Sequence, residues 1–310
     1  MANHFKLYKM KKIILTVIIG VAGISGLNAK NTALLIGIGE YNPEATGWNP
    51  IHGNNDVDLL KGKLISKGFE VSTLKDSEAT KAKVTNALNN LVSTTGAGDV
   101  VYLHFSGHGQ LVEDYNNDEQ DELDQSFICY DACFSPQYSV AGQSYRGQNH
   151  LIDDELFPYL NNLKKKVGKD GEVVVIFDSC YSGGADRGDM DDEPEEDSPV
   201  EWSKTTRGSN DEFRANKRAE DYLRKINKPG EYTTGGGEIL VVSACESDKK
   251  NYECKDKHSG QFYGSLSYCV GKLLDKNVPM NQWEDYFDNK KYKEDKIFRP
   301  TQHPVVESHK

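Results

Sequence analysis

Cys180 and His108 are of the types that together attack carbonyl carbon, and each ends the same kind of stretch. Cys180 lies in residues 172–184, EVVVIFDSCYSGG, where the unbroken apolar run 173–177 gives way to Asp178-Ser179-Cys180 and then to two glycines. His108 lies in residues 99–109, DVVYLHFSGHG, again an apolar run that breaks into Ser106-Gly107-His108-Gly109. A thiolate beside an imidazole is a nucleophile beside its base: sulfur attacks, and the ring helps form the thiolate and later protonates the leaving amine. A lone cysteine ending a strand is more often a buried, inert side chain, and a lone histidine is more often structural. The matched pair is what argues for chemistry. A metal centre on Cys180 and His108 has no CxxC or HxxxH spacing to support it.

Both stretches read as strands buried on two faces, as in the middle of a parallel sheet. Chemistry in an open α/β sheet collects at the carboxyl ends of its strands. Upstream, a strand is expected at 32–39 and a Pro- and Gly-containing loop at 41–50. A helix is expected at 54–66, with Val57, Leu59, Leu60 and Leu64 at helical spacing and Gly68 to end it. A strand at 69–74, a helix at 81–92 and the strand 100–105 complete a β-α-β-α-β series. That alternation predicts an α/β fold, a parallel sheet with helices on both faces. Further on, a strand is expected at 127–130 and a helix at 151–166 with Asp153 as an N-cap. A strand at 239–244, helices at 262–274 and 280–286, and a closing strand at 302–308 follow. Residues 186–201 hold nine acids, residues 204–228 hold eight basic residues, and three glycines close the segment. No core periodicity runs through it, so it reads as a mobile linker, partly helical around 211–224.

At 37% hydrophobic and 27% charged residues over 310, the composition is that of an ordinary globular protein. Net charge is −11, and the first 29 residues hold four lysines and no acid, so the rest is more acidic still. Such a surface argues against nucleic acid as a partner and favours metal ions or basic peptides. Residues 10–29, MKKIILTVIIGVAGISGLNA, read as a secretory signal peptide. Its apolar run, 13–24, is too short for a comfortable transmembrane helix. The expectation is an exported protein, periplasmic or extracellular, with no stable membrane span once the signal is removed. Six cysteines in an exported chain could include disulfides, with no pairing assigned.

A strand ending SGHG, followed about seventy residues later by a strand ending DSCYSGG, resembles the caspase-like cysteine peptidases, and among them the metacaspases and their bacterial relatives. The resemblance implies a caspase-like fold with a mostly parallel central sheet. It divides the chain into a signal peptide (1–29), a large segment (30–185), a linker (186–237) and a small segment (238–310). The large and small segments form one domain. Cys180 would be the nucleophile and His108 the base, with N–H groups of Gly109 and Cys180 facing the oxyanion. Asp178 lies two residues before Cys180, so both side chains point to one side. An anion there selects a cationic partner, although it could equally be a structural carboxylate. Asp56, in Asn55-Asp56-Val57, and Ser106 resemble further pocket positions of the family. The implied substrates are peptides with Arg or Lys at the cut, and the exposed basic stretch 204–228 would be cut by the chain itself. Asp124, Asp153, Asp154 and Asp186 resemble the family's calcium ligands, with Ca²⁺ as an activator. A monomer is expected. The competing readings are a catalytically silent caspase-fold binding protein and a clostripain- or gingipain-like peptidase.

Overall fold

The computed structural model describes residues 29–114, 122–140, 142–181, 193–209, 211–213, 232, 234–246 and 249–310. Nearly all of the expected signal peptide, residues 115–121, Asp186, and nearly all of the expected helix at 211–224 lie outside them.

The chain begins with β1 (Asn31–Gly37), α1 (Pro43–Thr46), α2 (Gly53–Ser66), β2 (Glu70–Lys75), α3 (Lys81–Thr94) and β3 (Val100–Ser106). It continues with β4 (Gly109–Glu113), β5 (Leu123–Ile128), β6 (Ser139–Val140), β7 (Gln143–Ser144), β8 (His150–Ile152), α4 (Asp153–Val167) and β9 (Glu172–Asp178). After these come β10 (Val200–Thr206), β11 (Glu238–Ser243), β12 (Tyr252–Asp256), β13 (Phe262–Gly264), α5 (Ser265–Asp275), α6 (Trp283–Asp288) and β14 (Val305–His309). The central sheet has six strands in the order β14-β11-β9-β3-β1-β2. Only β14 runs antiparallel to its neighbour. Two three-stranded sheets, β10-β12-β13 and β4-β5-β8, stand beside it.

The apolar runs belong to central strands because both faces of the sheet are covered. Side chains alternate between two cores, as strand geometry requires. Val173, Val175 and Phe177 enter one core with Leu34, Leu103 and the α3 and α4 residues Leu88 and Leu160. Val174 and Ile176 enter the other with Leu35, Tyr102 and the α2 and α5 residues Leu60 and Leu273. Register then aligns the strand ends: Ser106 pairs with Gly37 on one side and with Asp178 on the other. Ser106 and Asp178 are therefore neighbours at the carboxyl edge. No helix among the described residues is long and apolar enough to cross a membrane.

Three expectations need correction. The linker is not structureless throughout: β10 pairs antiparallel with β12, its Trp202 indole donates to the Ile297 carbonyl at 2.9 Å, and Val200 is fully buried. The expected helix at 262–274 begins as strand β13, since Phe262 and Tyr263 pair with β12 before the chain turns at Gly264. The helix expected from 151 starts at Asp153, because residues 150–152 pair with β5 as β8. Its N-cap is Ile152 rather than Asp153. All six cysteines are buried, and no disulfide joins them among the described residues.

Three buried imidazoles make the fold sensitive to acid. His104 lies between the Tyr102 hydroxyl at 3.1 Å and Ser267 Oγ at 3.0 Å. Burial pushes His104 and His108 down to about 4 and His150 to about 3. Depressed groups bind no proton in the fold but bind one when unfolded below about 6.5, so stability present above that pH is lost as pH falls toward 4. Each ring contributes about 3 kcal/mol to that loss. Burial raises the Asp56 carboxyl to about 7, which acts in the opposite sense but on one group against three. The melting temperature should fall steadily between pH 6.5 and 4, and His104→Gln should flatten the fall. A melting temperature level across that range would mean that the rings are not buried neutral.

Candidate active site

His108 follows β3, and its ring is wedged between Trp48, stacked at 4.8 Å, and Tyr41 at 4.9 Å. Its Nε2 is 2.9 Å from the Asn49 carbonyl. A carbonyl only accepts, so the proton sits on Nε2 and Nδ1 carries the lone pair. Nδ1 has no hydrogen-bond partner among the described residues. This is the tautomer a general base needs, and burial keeps the ring neutral. The group that orients it is a main-chain carbonyl, for which no sequence pattern exists.

Cys180 lies two residues past β9 and is fully buried. Its Sγ donates to the Lys249 carbonyl at 3.0 Å. The N–H of Cys180 and the N–H of Gly109 both point at one oxygen, the carbonyl of Arg207, each at 3.1 Å. Two convergent N–H donors on one carbonyl are what an oxyanion site consists of. The next residue, Gly208, is packed against the cysteine: a methyl group added there would lie 2.1 Å from the Cys180 carbonyl and 3.2 Å from Sγ. The peptide bond between Arg207 and Gly208 is thus held beside the thiol.

The Arg207 side chain runs into a pocket at the carboxyl edge of the sheet and is fully buried. Nη1 donates to Asp56 Oδ2 at 2.7 Å and to Ser106 Oγ at 2.5 Å. Nη2 donates to Glu253 Oε1 at 3.0 Å. Asp56, from the first turn of α2, also accepts from Ser106 Oγ at 2.5 Å and from the Gly264 N–H at 3.0 Å. Burial raises its carboxyl to about 7 while the guanidinium pulls it back. Asp178 stands farther off, 3.6 Å from Nη1. Its oxygens are taken up by Asn251 Nδ2 at 2.6 Å and by the N–H and Oγ of Ser267 at 2.7 and 2.6 Å. It supplies charge to the pocket and structure to α5 at once. Gly264 leaves the space: a methyl group there would fall 2.4 Å from Arg207 Nη1.

Glu253 was not among the residues expected from sequence. It sits on β12, also accepts from the His52 N–H at 2.8 Å, and places Oε2 2.6 Å from His52 Nδ1. Burial raises the Glu253 carboxyl, but Arg207 and His52 outweigh that and hold it below the usual range. No signal in the sequence set it apart: its strand, YECKD, also carries Lys255 and a second acid, Asp256.

Asp124 on β5 meets Asp153 and Asp154, the first residues of α4. Their carboxylate oxygens lie within 4.8 Å of one another. Asp124 and Asp154 are buried, at 3% and 2% exposure. An all-oxygen donor set gathered this closely suits a hard cation such as calcium rather than zinc or copper. Asp186, the fourth expected ligand, is outside the described residues. Asp153 shares a cavity of ≈ 210 Å³ with Phe177 and Tyr181, next to the cysteine in the chain.

Comparison with known proteins places the chain. A family model for the caspase domain matches residues 30–308. The chain is 31% identical to Metacaspase-1 of Eremothecium gossypii over 163 residues, 49% of this chain and 32% of that protein. It is 36% identical to Metacaspase-1B of Aspergillus fumigatus over 106 residues, 34% of this chain and 22% of that protein. It therefore spans under a third of the length of these curated relatives. The fold is also that of a protein from Geobacter sulfurreducens known from its crystal structure, with a TM-score of 0.62 at 21% identity, covering 90% of this chain and 93% of that one. The chain belongs to the caspase domain family of cysteine peptidases. Within that family it is metacaspase-like.

Arg207→Ala, made in a Cys180→Ala background, removes the cation from among three buried carboxylates. It should lower stability by about 3 kcal/mol, read as a reduced urea midpoint, and Arg207→Lys should recover part of the loss. An unchanged midpoint would mean that Arg207 does not occupy the pocket in solution.

Proposed function

We propose that this chain is an exported cysteine endopeptidase that cleaves after Arg, and less well after Lys, and that its first substrate is its own Arg207–Gly208 bond. The observation carrying this reading is the placement of Arg207: side chain among Asp56, Ser106, Asp178 and Glu253, carbonyl oxygen on the N–H groups of Gly109 and Cys180. A pocket that holds a buried guanidinium on anionic partners is a pocket for a basic side chain.

The chemistry follows from the groups present. His108 Nδ1 takes the thiol proton, and Cys180 Sγ bonds to the Arg207 carbonyl carbon. Negative charge on the oxygen is met by the Gly109 and Cys180 N–H groups. As the C–N bond breaks, His108 returns the proton to the Gly208 amine. Water, deprotonated by the same ring, then splits the thioester, giving the Arg207 carboxylate and restoring the thiol. Cys180 must leave the Lys249 carbonyl before the first step. Asp56 and Glu253 take different nitrogens of the guanidinium, an arrangement that one lysine ammonium cannot copy.

Calcium is proposed as the activator, held by Asp124, Asp153 and Asp154 with Asp186. Bound there it would neutralise clustered carboxylates and fix the start of α4 against β5, beside the cavity shared with Tyr181. Residues 1–29 are proposed as the export signal, and the protein as a monomer without a nucleic-acid partner.

Purified protein should release arginyl reporters faster than lysyl ones and leave aspartyl ones intact. Cys180→Ala and His108→Ala should each abolish turnover with the fold retained. Glu253→Gln should cost the arginyl reporter roughly tenfold or more in kcat/KM and cost the lysyl reporter less. Cleavage after Asp in preference to Arg would overturn the pocket.

Mass spectrometry of wild-type protein should find a new N-terminus at Gly208, absent from Cys180→Ala. The same terminus in the variant would assign the cut to another protease. Chelator should slow the arginyl reporter, added calcium should restore it, and Asp153→Ala with Asp154→Ala should remove the response. A rate indifferent to chelator, with no heat of calcium binding, would refute the metal site.

A further inference from the structure

Beyond the Arg207–Gly208 bond, the described linker residues stay paired with the rest of the domain. The next described stretch, residues 211–213, is tied to the open edge of β4, the strand that begins with Gly109. Gly208 and Phe213 form parallel bridges with Gly109 and Val112. The Phe213 N–H donates to the Leu111 carbonyl at 2.8 Å, and the Phe213 carbonyl accepts from the Glu113 N–H at 3.2 Å. The linker advances five positions, from Gly208 to Phe213, while β4 advances three, from Gly109 to Val112, so the segment is held at two fixed points rather than along a regular ladder. One is at the bond to be cut and one is at Phe213.

The second point is a built pocket. Phe213 is 1% exposed and packs with Val112, Cys133, Tyr145 and Ile152 in a small apolar cluster separate from the two cores that cover the central sheet. Its ring meets Tyr145 edge-on at 5.6 Å and lies 4.7 Å from His150. Behind it runs a buried relay. The Tyr145 hydroxyl pairs with His150 Nδ1 at 2.7 Å, His150 Nε2 with Gln110 Oε1 at 3.0 Å, and Gln110 Nε2 donates to the Asp211 carbonyl at 2.7 Å. The relay fixes main chain two residues before the aromatic. Main-chain pairing at a sheet edge accepts any sequence, and a side-chain pocket at one position supplies the selection.

We propose that this pocket is a substrate subsite on the leaving-group side, which takes a bulky aromatic side chain six residues after the scissile Arg. The proposal rests on cleavage after Arg207. Phe213 occupies the subsite in the uncut chain and aligns Arg207–Gly208 for attack. Because the cluster is separate from the main cores, the pocket can exchange Phe213 for the corresponding residue of another protein without dismantling the fold. The substrates favoured are then chains of the pattern Arg, five residues, aromatic.

The test uses three substrates with both wild-type and Phe213→Ala protein: a peptide covering residues 203–215, the same peptide with Ala in place of Phe213, and an arginyl amide with nothing beyond the Arg. On the Phe213→Ala protein, whose pocket is not filled from within, the Phe peptide should exceed the Ala peptide by about tenfold in kcat/KM. In the full chain, Phe213→Ala should slow the self-cut by a similar factor, and Phe213→Tyr should restore it. Equal rates for the two peptides on both proteins, with the arginyl amide still cleaved, overturn the subsite and leave the peptidase reading standing. Wild-type protein that cleaves none of the three overturns both.

Discussion

One buried guanidinium sets the terms for this structure. A cation withdrawn from water must be given back its solvation by fixed groups, and a lost partner leaves an uncompensated charge. Arg207 is surrounded by carboxylates from three elements: Asp56 from α2, Asp178 from the end of β9 and Glu253 from β12. No one of these elements can move without exposing the others' charge. The pocket therefore joins the large segment to the small one, and it does so through the linker between them.

The parallel sheet is what makes this meeting possible. Strands β1, β3 and β9 run side by side in the same direction and end level, so the residues just past them share one edge. Ser106 and Asp178 are register partners there. His108 and Cys180 come two residues after each, carried by the turns that leave the sheet. α2 begins under the same edge and presents Asp56 upward. The chemistry is local to one rim because the strand ends are, although the residues, Asp56 to Cys180, are spread over more than a hundred positions of the chain.

Much of this was legible because buried parallel strands announce themselves. The runs ending in His108 and Cys180 are almost wholly apolar, and their polar stops mark the rim. Asp56, Ser106 and Asp178 could be named from motif likeness and from charge. β10 was not legible: VEWSKTT is half polar, because only part of it faces the core, and its neighbours in sequence are highly charged. β13 reads in the sequence as the start of a helix, because apolar residues continue from it into α5, although two aromatics before a glycine carry β preference. Glu253 escaped because its partners are distant in sequence, and Asn49 because it acts through its carbonyl. The pairing of Arg207 with the pocket was beyond reach, since a basic residue in a charged stretch looks like solvated surface until its neighbours in space are known.

The interleaving of strands on either side of Arg207–Gly208 changes the molecularity of folding. β9 and β10 lie before that bond, and β11 and β12 after it, yet β9 pairs with β11 and β10 with β12. A break there would leave a native molecule held together by two ladders and an intact core. The same molecule, once unfolded, would be two polypeptides whose reunion depends on concentration. Tethered strands meet at the high effective concentration set by their linker, and separate chains do not. An uncut chain can unfold and return; a cut one at cellular dilution has been folded for the last time.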